Sequence, residues 1–592
     1  MSTASFIRPG VSGLLREGAQ HLYGLHEAVL KNVEACKMLA GIVRSSFGPD
    51  GCNKLISNRL GKLFITSDAA TIVHELEVVH PAAKMVVMAA QAQEREAGDG
   101  TGLVMVLAGE LLALAVALLH EGLHPSEIVT GYKRAAQEAL QALDALECWR
   151  VEDVRDEAQV ARALRASLAS KQLGMEERLA ALVAAACNYV LPSSFDGKTL
   201  DDMPLVELGD ASVDADGAGD DGTGWRARVQ RFNVDSVRVA KVLGGSLADS
   251  TVLRGAVLVR DVEGTVRQVR PARVAVYSGD LDTSPMETKG TVLLHSAQEL
   301  QNYTKSEEAL IAERVQKLAA AGVNVVVSGG KFGEVALHFL EQHRIMAIRC
   351  PSKFDLRRVA RTTGAVAMVA FGDRPPTADE IGACDAVQVE EMGATKLVVL
   401  RQESDATRIA TVVLRGSNEN LLDDVERAID DAVRTFKVVA TRDARLVAGG
   451  GAAEMELARR LEQLADQTVG LEQHAMRQYA EALKVVPRTL AENAGRNPLE
   501  FVTRLYAAHV GGHTHAGLAV EADDEAAESA PPALAPGIVD AREAGVLDSL
   551  CVKYSALKLA TDAAVTVLQV DALIMSKATA AAGGGGRAEG GA

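Results

Sequence analysis

The run Gly48-Pro49-Asp50-Gly51-Cys52-Asn53-Lys54 has glycines where a backbone can approach a ligand closely and turn its amides toward phosphate oxygens. It lacks Gly-Lys-Ser/Thr and a preceding strand, so it is not a P-loop, and an ordinary turn is the competing reading. Gly98-Asp99-Gly100-Thr101-Gly102 stands directly before an apolar helical run. A helix N-terminus there offers free amides and a positive dipole end to phosphate, and Asp99 could hold an accompanying magnesium; capping of the helix by Asp99 or Thr101 is the alternative. In Thr66-Ser67-Asp68-Ala69-Ala70-Thr71-Ile72 an acid sits between a short strand and a helix start, where capping is again the default. On a further helix Val425, Ile429, Ala432, Val433 and Phe436 share one face, with Asp430 and Asp431 directed broadly away as solvated carboxylates. Val447-Ala448-Gly449-Gly450-Gly451-Ala452 would let a backbone approach a planar base or a phosphate, or would act as a hinge.

The elements that must position these segments follow from periodicity. Helical spacing over 25–47 runs into the first glycine loop, 62–66 reads as a short strand, and helices are expected at 81–96, 103–119 and 125–146. Helices continue over 155–190. The Asp- and Gly-rich stretch 196–224 has little to bury and reads as a solvated insertion. Strand-like runs at 237–243, 256–262, 274–276, 323–327, 345–348 and 365–370 then alternate with helical stretches, an α/β pattern. Runs 397–400 and 410–414 resemble a hairpin, and long helical patterns return over 419–440 and from 452 almost to 575. A mainly helical beginning and end around an α/β middle predicts a nested architecture, with one domain made from both ends of the chain. No repeat of 20 to 50 residues suggests a solenoid, and the glycine-rich run 583–591 is expected to be a flexible tail.

With 592 residues the chain exceeds the roughly 250 to 300 at which single cores stop growing, so several domains are expected. Its 62 basic and 79 acidic residues give a net charge of −17, which repels phosphate backbones and anionic lipid surfaces; nucleic acid and membrane are not expected partners. Residues 1–20 show no basic segment followed by an apolar stretch and a cleavage site, so no export is expected. The apolar run 103–119, interrupted by Glu110, reads as a buried helix rather than a span. Seven scattered cysteines without a CxxC pair suit a reducing compartment and argue against structural zinc.

Taken together and in this order, the segments resemble the group II cytosolic chaperonins (TRiC/CCT), whose signatures include an LGPxGxxK-like loop, a T(N)DGATI segment, GDGTT, a VERAxxDA helix and a PGGGA loop. The resemblance covers nearly the whole chain. Within the family, Glu75-Leu76-Glu77 through His80-Pro81-Ala82-Ala83-Lys84-Met85, and Glu287-Thr288-Lys289-Gly290-Thr291-Val292, resemble the theta branch most closely. The resemblance implies a phosphate-facing loop at Ser46, Gly48, Pro49 and Gly51, a magnesium ligand at Asp99, and phosphate contacts at Gly100 and Thr101. It also implies that Asp68 and Asp431 act on the attacking water, that Gly450 and Gly451 border adenine, that Lys171 belongs to a nucleotide-sensing loop, and that Asp548 contacts ribose. The choice of Asp431 over Asp430 comes from the resemblance alone.

The implied fold is a multidomain α and α/β chaperonin fold. Its equatorial ATPase domain is formed by 1–149 and 442–592, and its intermediate domain by 150–244 and 371–441. The apical client-binding domain is 245–370, with a helical lid protrusion near 278–308. The implied activity is ATP hydrolysis with ATP and Mg2+, in a cytoplasmic double ring of eight-membered rings shared with seven paralogous subunits. Unfolded clients, actin and tubulin among them, would be enclosed. Ala69 replaces the family's glycine, Gly102 the second threonine, Ala448 a proline, and Asp50 stands where lysine or a neutral residue is usual. A carboxylate facing phosphate is repulsive, so weakened nucleotide binding is expected if Asp50 turns inward. Two rivals are a structural ring subunit without hydrolysis of its own and, from another class, a metabolic ATP-dependent transferase, for which no triad or cofactor motif is present.

Overall fold

A computed structural model of the chain describes residues 20–23, 25–58, 61–191, 232–282, 297–369, 371–372, 374–403, 409–519 and 537–575. The insertion expected at 196–224, the run 287–292, residues 283–296 of the expected lid and the tail 583–591 lie outside these described residues.

Strand β1 (Gln20–Tyr23) leads into α1 (Leu25–Arg44), and a hairpin of β2 (Lys54–Ser57) and β3 (Leu63–Thr66) leads into α2 (Ala69–Glu75). Helices α3 (Pro81–Ala97), α4 (Thr101–His120) and α5 (Pro125–Asp144) follow, then β4 (Glu147–Arg150). The prolines that open α3 and α5 are tolerated because the first helical position has no intrahelical acceptor for its amide. By length and composition α4 would cross a membrane, yet most of its residues, Leu107, Leu111 and Leu112 among them, are buried within the protein.

The middle of the chain changes type. After α6 (Glu157–Ala169) and α7 (Glu176–Val190) come β5 (Val237–Leu243), β6 (Thr251–Leu258), β7 (Gln268–Val269) and β8 (Ala272–Tyr277). Helix α8 (Ala297–Ala320), β9 (Val325–Ser328), α9 (Glu334–Gln342), β10 (Met346–Arg349) and α10 (Lys353–Thr363) continue the alternation. β11 (Ala367–Met368) and β12 (Gly382–Cys384) complete a sheet of order β10-β9-β8-β11, parallel along that path, with β12 antiparallel beside β8. Both faces of this sheet are covered, as the period of two requires of a parallel sheet. Val274, Val276, Val325, Val327, Met346 and Ile348 pack on one side, and Ala275, Tyr277, Val326 and Ala347 on the other.

β13 (Ala386–Met392), β14 (Thr395–Arg401) and β15 (Ala410–Gly416) belong to a second sheet of order β5-β15-β6-β14-β13-β7. The hairpin expected between 397–400 and 410–414 does not form: β6 lies between β14 and β15, and β14 forms its hairpin with β13. Alternation identifies a strand, but the partner is decided by which neighbour completes the buried face.

The chain then returns to helices: α11 (Glu419–Thr441), β16 (Arg445–Ala448), α12 (Ala452–Gln467), α13 (Glu472–Leu483), α14 (Val485–Asn493) and α15 (Pro498–Val510). β17 (Ala516–Leu518), β18 (Ile538–Asp540), β19 (Leu547–Ser549), α16 (Leu550–Leu568) and β20 (Ala572–Met575) close it. One hydrophobic core draws on both ends, joining α1, α3, α4 and α5 to α12, α13, α14 and α16. Tyr132 and Tyr479 meet edge to face at 5.8 Å within it; their hydroxyls are satisfied by Leu111 O and Thr561 Oγ1. β1 pairs antiparallel with β20, and β16 is flanked by β4 and β19. A separate core gathers α6, α7 and α11, where Phe232 and Phe436 stack edge to face at 5.1 Å.

Candidate functional site

The loop after α1 is tied down by local bonds. Gly51 N donates to Gly48 O and Cys52 N to Ser45 O, while Asn493 Nδ2 on α14 donates to the carbonyls of Arg44 and Phe47. Gly48 has φ +86°, and a Cβ there would stand 2.4 Å from Leu490 Cδ2, so no other residue fits that turn without a shift. Buried Ser46 donates its hydroxyl to Val43 O.

Gly98 ends α3 and Gly100, at φ +80°, opens α4 without any side-chain cap. Neither Asp99 nor Thr101 caps the helix. Asp99 Oδ1 accepts from Gly100 N at 2.7 Å, and Thr101, Gly102 and Leu103, whose amides have no intrahelical acceptor, line the adjoining cavity. Fully buried Gln93 fixes this loop to α16 by donating to Asp99 O and Val552 O and accepting from Ser555 Oγ.

Asp68 does cap α2, accepting from Ala70 N, Thr71 N and Thr71 Oγ1. It is also buried, and Lys171 Nζ lies 3.5 Å from its Oδ1. Burial alone would raise its pKa; Lys171 and the Thr71 and Ala70 donors outweigh that and lower it. Lys171 follows α6 and also donates to Asp431 of α11. Burial of Lys171 disfavours its charge, but Asp431, Asp68 and Asp99 outweigh it and raise the pKa well above that of an ordinary lysine.

Asp431 is 5% exposed, which corrects the expectation of a solvated carboxylate. α11 is buried on two sides: Val425, Ile429 and Phe436 pack on α6 and α7, while Val438 meets Ala97 and Val552. Desolvation pushes Asp431 up to about 7, with Lys171 opposing and Asp68 adding to the shift. A carboxyl so placed is poised between acid and base near neutral pH.

Gly450 and Gly451, with φ +62° and +81°, form the turn into α12, and Leu518 N donates to Gly450 O. Asp548 stands on β19 beside that turn. One cavity is lined by Ser46, Gly48, Pro49, Asp68, Asp99, Gly100, Thr101, Lys171, Gly450, Gly451 and Asp548. Two expected residues do not line it: Gly51 closes the turn behind Gly48, and Asp431 lies behind Lys171. Asp50 is not on the cavity wall either, although Gly48 and Pro49 before it are. Ala69 and Gly102 both line the cavity and face each other; a Cβ at 102 would lie 3.1 Å from Phe47 Cδ2 and 3.7 Å from the Ala69 methyl.

Sequence reasoning missed several residues. Asp424, two turns before Asp431 on α11, accepts from Thr66 Oγ1 at 2.7 Å and Gln172 Nε2 at 2.6 Å, joining α11 to β3 and to the Lys171 loop. Glu454 and Lys553 form a buried ion pair on the cavity wall. Their only sequence signal was position, Glu454 in the first turn after the triple glycine and Lys553 one turn after Asp548.

The TCP-1/cpn60 chaperonin family profile matches residues 39–214 and 206–578. Over 569 residues the chain is 45% identical to T-complex protein 1 subunit theta of Homo sapiens, covering 96% of this chain and 95% of the relative. The theta subunit of Arabidopsis thaliana is 45% identical over 570 residues with the same coverage. That of Dictyostelium discoideum is 42% identical over 568 residues, 96% of each chain. With the expected multidomain helical and α/β architecture in place and these matches along nearly its whole length, the chain belongs to the TCP-1/cpn60 chaperonin family, on its theta branch.

Proposed function

We propose that this chain is an ATP-hydrolysing subunit of a cytoplasmic chaperonin ring that encloses and folds client proteins. The observation carrying this reading is that Ser46, Gly48, Asp99, Thr101, Lys171, Gly450 and Asp548, from segments far apart in the chain, line one cavity. The ring partners would be seven paralogous subunits in two stacked eight-membered rings, and the clients unfolded proteins such as actin and tubulin. Relatives named as subunits of T-complex protein 1 support an assembly. The segments 1–149 and 442–592 would act as the ATPase domain, 245–370 as the client-holding domain and 150–244 with 371–441 as the link between them.

Among the described residues no group of three or more His, Cys, Asp or Glu could hold a metal by itself. Asp99 offers one carboxylate as a ligand for Mg2+, which would take its other ligands from water and from phosphate oxygens held at the start of α4. When bound at Asp99 the ion would neutralise charge on the β- and γ-phosphates. The amides opening α4 and the Gly48 turn would bind phosphate oxygens, Gly450 and Gly451 would border the base, and Asp548 the ribose. Asp431, assisted by Asp68, would orient water and take its proton. In the present arrangement Lys171 engages Asp431, so the acid becomes free for water only when Lys171 is drawn toward phosphate, which ties hydrolysis to movement of Lys171.

The same bond favours a second reading, a ring subunit that binds nucleotide without turning it over, since a carboxylate held by an ammonium accepts a water proton poorly. Single-turnover phosphate release, in assembled rings whose other subunits are inactivated, separates the two. Release at this subunit supports hydrolysis, and bound ATP without release supports the structural reading. Absence of bound ATP contradicts both.

A further inference from the structure

Lys171 accounts for one oxygen of Asp431, and the other has a second cation beside it. Arg434, one turn further along α11, places Nη1 3.5 Å from Asp431 Oδ1, and the same nitrogen donates to Glu94 Oε1 on α3 at 3.1 Å. The stem of the arginine is fixed as well. Gly98, at the end of α3 beside Asp99, has φ +76°, and a Cβ there would stand 2.3 Å from Arg434 Cβ and 3.1 Å from its Cδ. Only glycine admits the arginine at that turn. One turn on, Val438 meets Ala97, so α11 is seated on α3 by an apolar contact and a charged one.

The two cations differ in what they can do. Lys171 lines the cavity, where phosphate would draw it away, whereas Arg434 does not line it and is tied to α3. Burial pushes the Asp431 carboxyl up, and Asp68, facing it from the cap of α2, adds to that rise; Lys171, from the segment after α6, and Arg434 oppose it. Glu94, from α3, is paired with Arg434. Once Lys171 has left, Arg434 is the cation that remains in contact with the acid among the described residues. Without it a buried carboxyl beside Asp68 would take up a proton and could not accept one from water.

We propose that Arg434 is a positioning residue for hydrolysis: anchored to α3 through Glu94, it holds Asp431 Oδ1 as a fixed counter-charge while Lys171 gives up Oδ2 to the attacking water. This rests on the reading that Asp431 acts on water in this subunit. Water gives its proton to Oδ2 and its oxygen to the γ-phosphorus as the bond from that phosphorus to ADP breaks; Arg434 exchanges no proton in the step. Because Arg434 touches Asp431 and does not line the cavity, its loss should act on turnover and not on binding.

The test is single-turnover phosphate release at about pH 6 and pH 8 in assembled rings whose other subunits are inactivated, with this subunit's affinity for a hydrolysis-resistant ATP analogue measured beside it. Arg434→Gln should slow release about tenfold at the lower pH and no more than about threefold at the higher, since loss of a nearby opposite charge keeps the acid protonated to higher pH. Affinity should stay within about threefold of wild type. Arg434→Lys, which keeps the charge, should release phosphate within about threefold of wild type at both pH values. Arg434→Met, which keeps a stem over Gly98, replaces the glutamine variant if that one fails to assemble. Wild-type release that persists unchanged in Arg434→Gln at the lower pH overturns the inference alone. So does a loss equal at the two pH values, a loss that Arg434→Lys shares, or one accompanied by more than about a threefold fall in affinity. Bound analogue with no wild-type release of phosphate from ATP overturns the hydrolysis reading and this inference with it.

Discussion

Lys171 donates a hydrogen bond to Asp431 Oδ2 and stands 3.5 Å from Asp68 Oδ1, so one buried ammonium holds the two acids proposed to act on water. The three residues come from the segment after α6, from α11 and from the cap of α2. Their meeting is therefore a tertiary event that joins the helical core at the chain ends to the core of α6, α7 and α11.

Removing that ammonium should destabilise the fold. In Lys171→Met two buried carboxylates would face each other without the ammonium they share, and breaking a buried pair by deleting one partner costs about 3–5 kcal/mol. Urea unfolding of the full chain, followed by a probe on α11, should show a loss of this order. A change under about 1 kcal/mol would mean that water reaches the acids and that the triad is not closed.

Asp431 also sets a pH dependence. Its pKa is raised from 3.8 to about 7, so between those values the folded chain holds a proton that the unfolded chain has lost. The contribution of this group to stability is therefore fully present below about pH 4 and is lost as pH rises through about 7. Asp68 has the opposite sign, since its lowered pKa contributes stability that is lost on acidification. Asp431→Asn should remove the first component, so the variant should gain on the wild type as pH goes from 5 to 8. Melting temperatures at both pH values check this; a constant difference would show that Asp431 does not titrate in that window.

Asp99 and Asp431 should separate binding from turnover. Asp99→Ala should weaken Mg-dependent ATP binding, whereas Asp431→Ala, altering a residue behind the cavity wall, should bind ATP within about threefold of wild type and lose hydrolysis by about a hundredfold or more, the scale of general-base catalysis. Both variants belong in rings in which only this subunit is changed. Equal affinity and equal turnover in the two would remove the assignment of roles.

Asp50 supplies a control. Gly48 and Pro49 line the cavity and Asp50 does not, so Asp50→Lys should leave ATP affinity within about twofold at low salt. A gain that shrinks with added salt would show the side chain reaching the phosphates after all.

Much of this site was legible because its loops are written in glycine. Gly100, Gly450 and Gly451 hold positive φ at turns into helices, and Gly48 at the turn that follows α1; such positions announce themselves in sequence. The parallel sheet was legible too: the valines of β8 and β9 are buried on both faces, which gives the apolar runs seen at 274–276 and 323–327. Asp431 was misread because an amphipathic pattern reports one buried face, and α11 has two. The supposed β14–β15 hairpin failed for a related reason, since strand pairing depends on β6, which lies more than a hundred residues earlier. Glu454 was invisible because a glutamate in the first turn of a helix is ordinarily explained by the helix dipole; its burial depends on Lys553, ninety-nine residues away.

The most direct test of the central claim is a structure of the assembled ring with Mg2+ and a non-hydrolysable ATP analogue at saturating concentration. The prediction is a nucleotide in this subunit's cavity, its phosphates against Gly48, Asp99 and Thr101, with Lys171 released from Asp431. An empty cavity in this subunit, with Lys171 still bound to Asp431 while neighbouring subunits are filled, would contradict it.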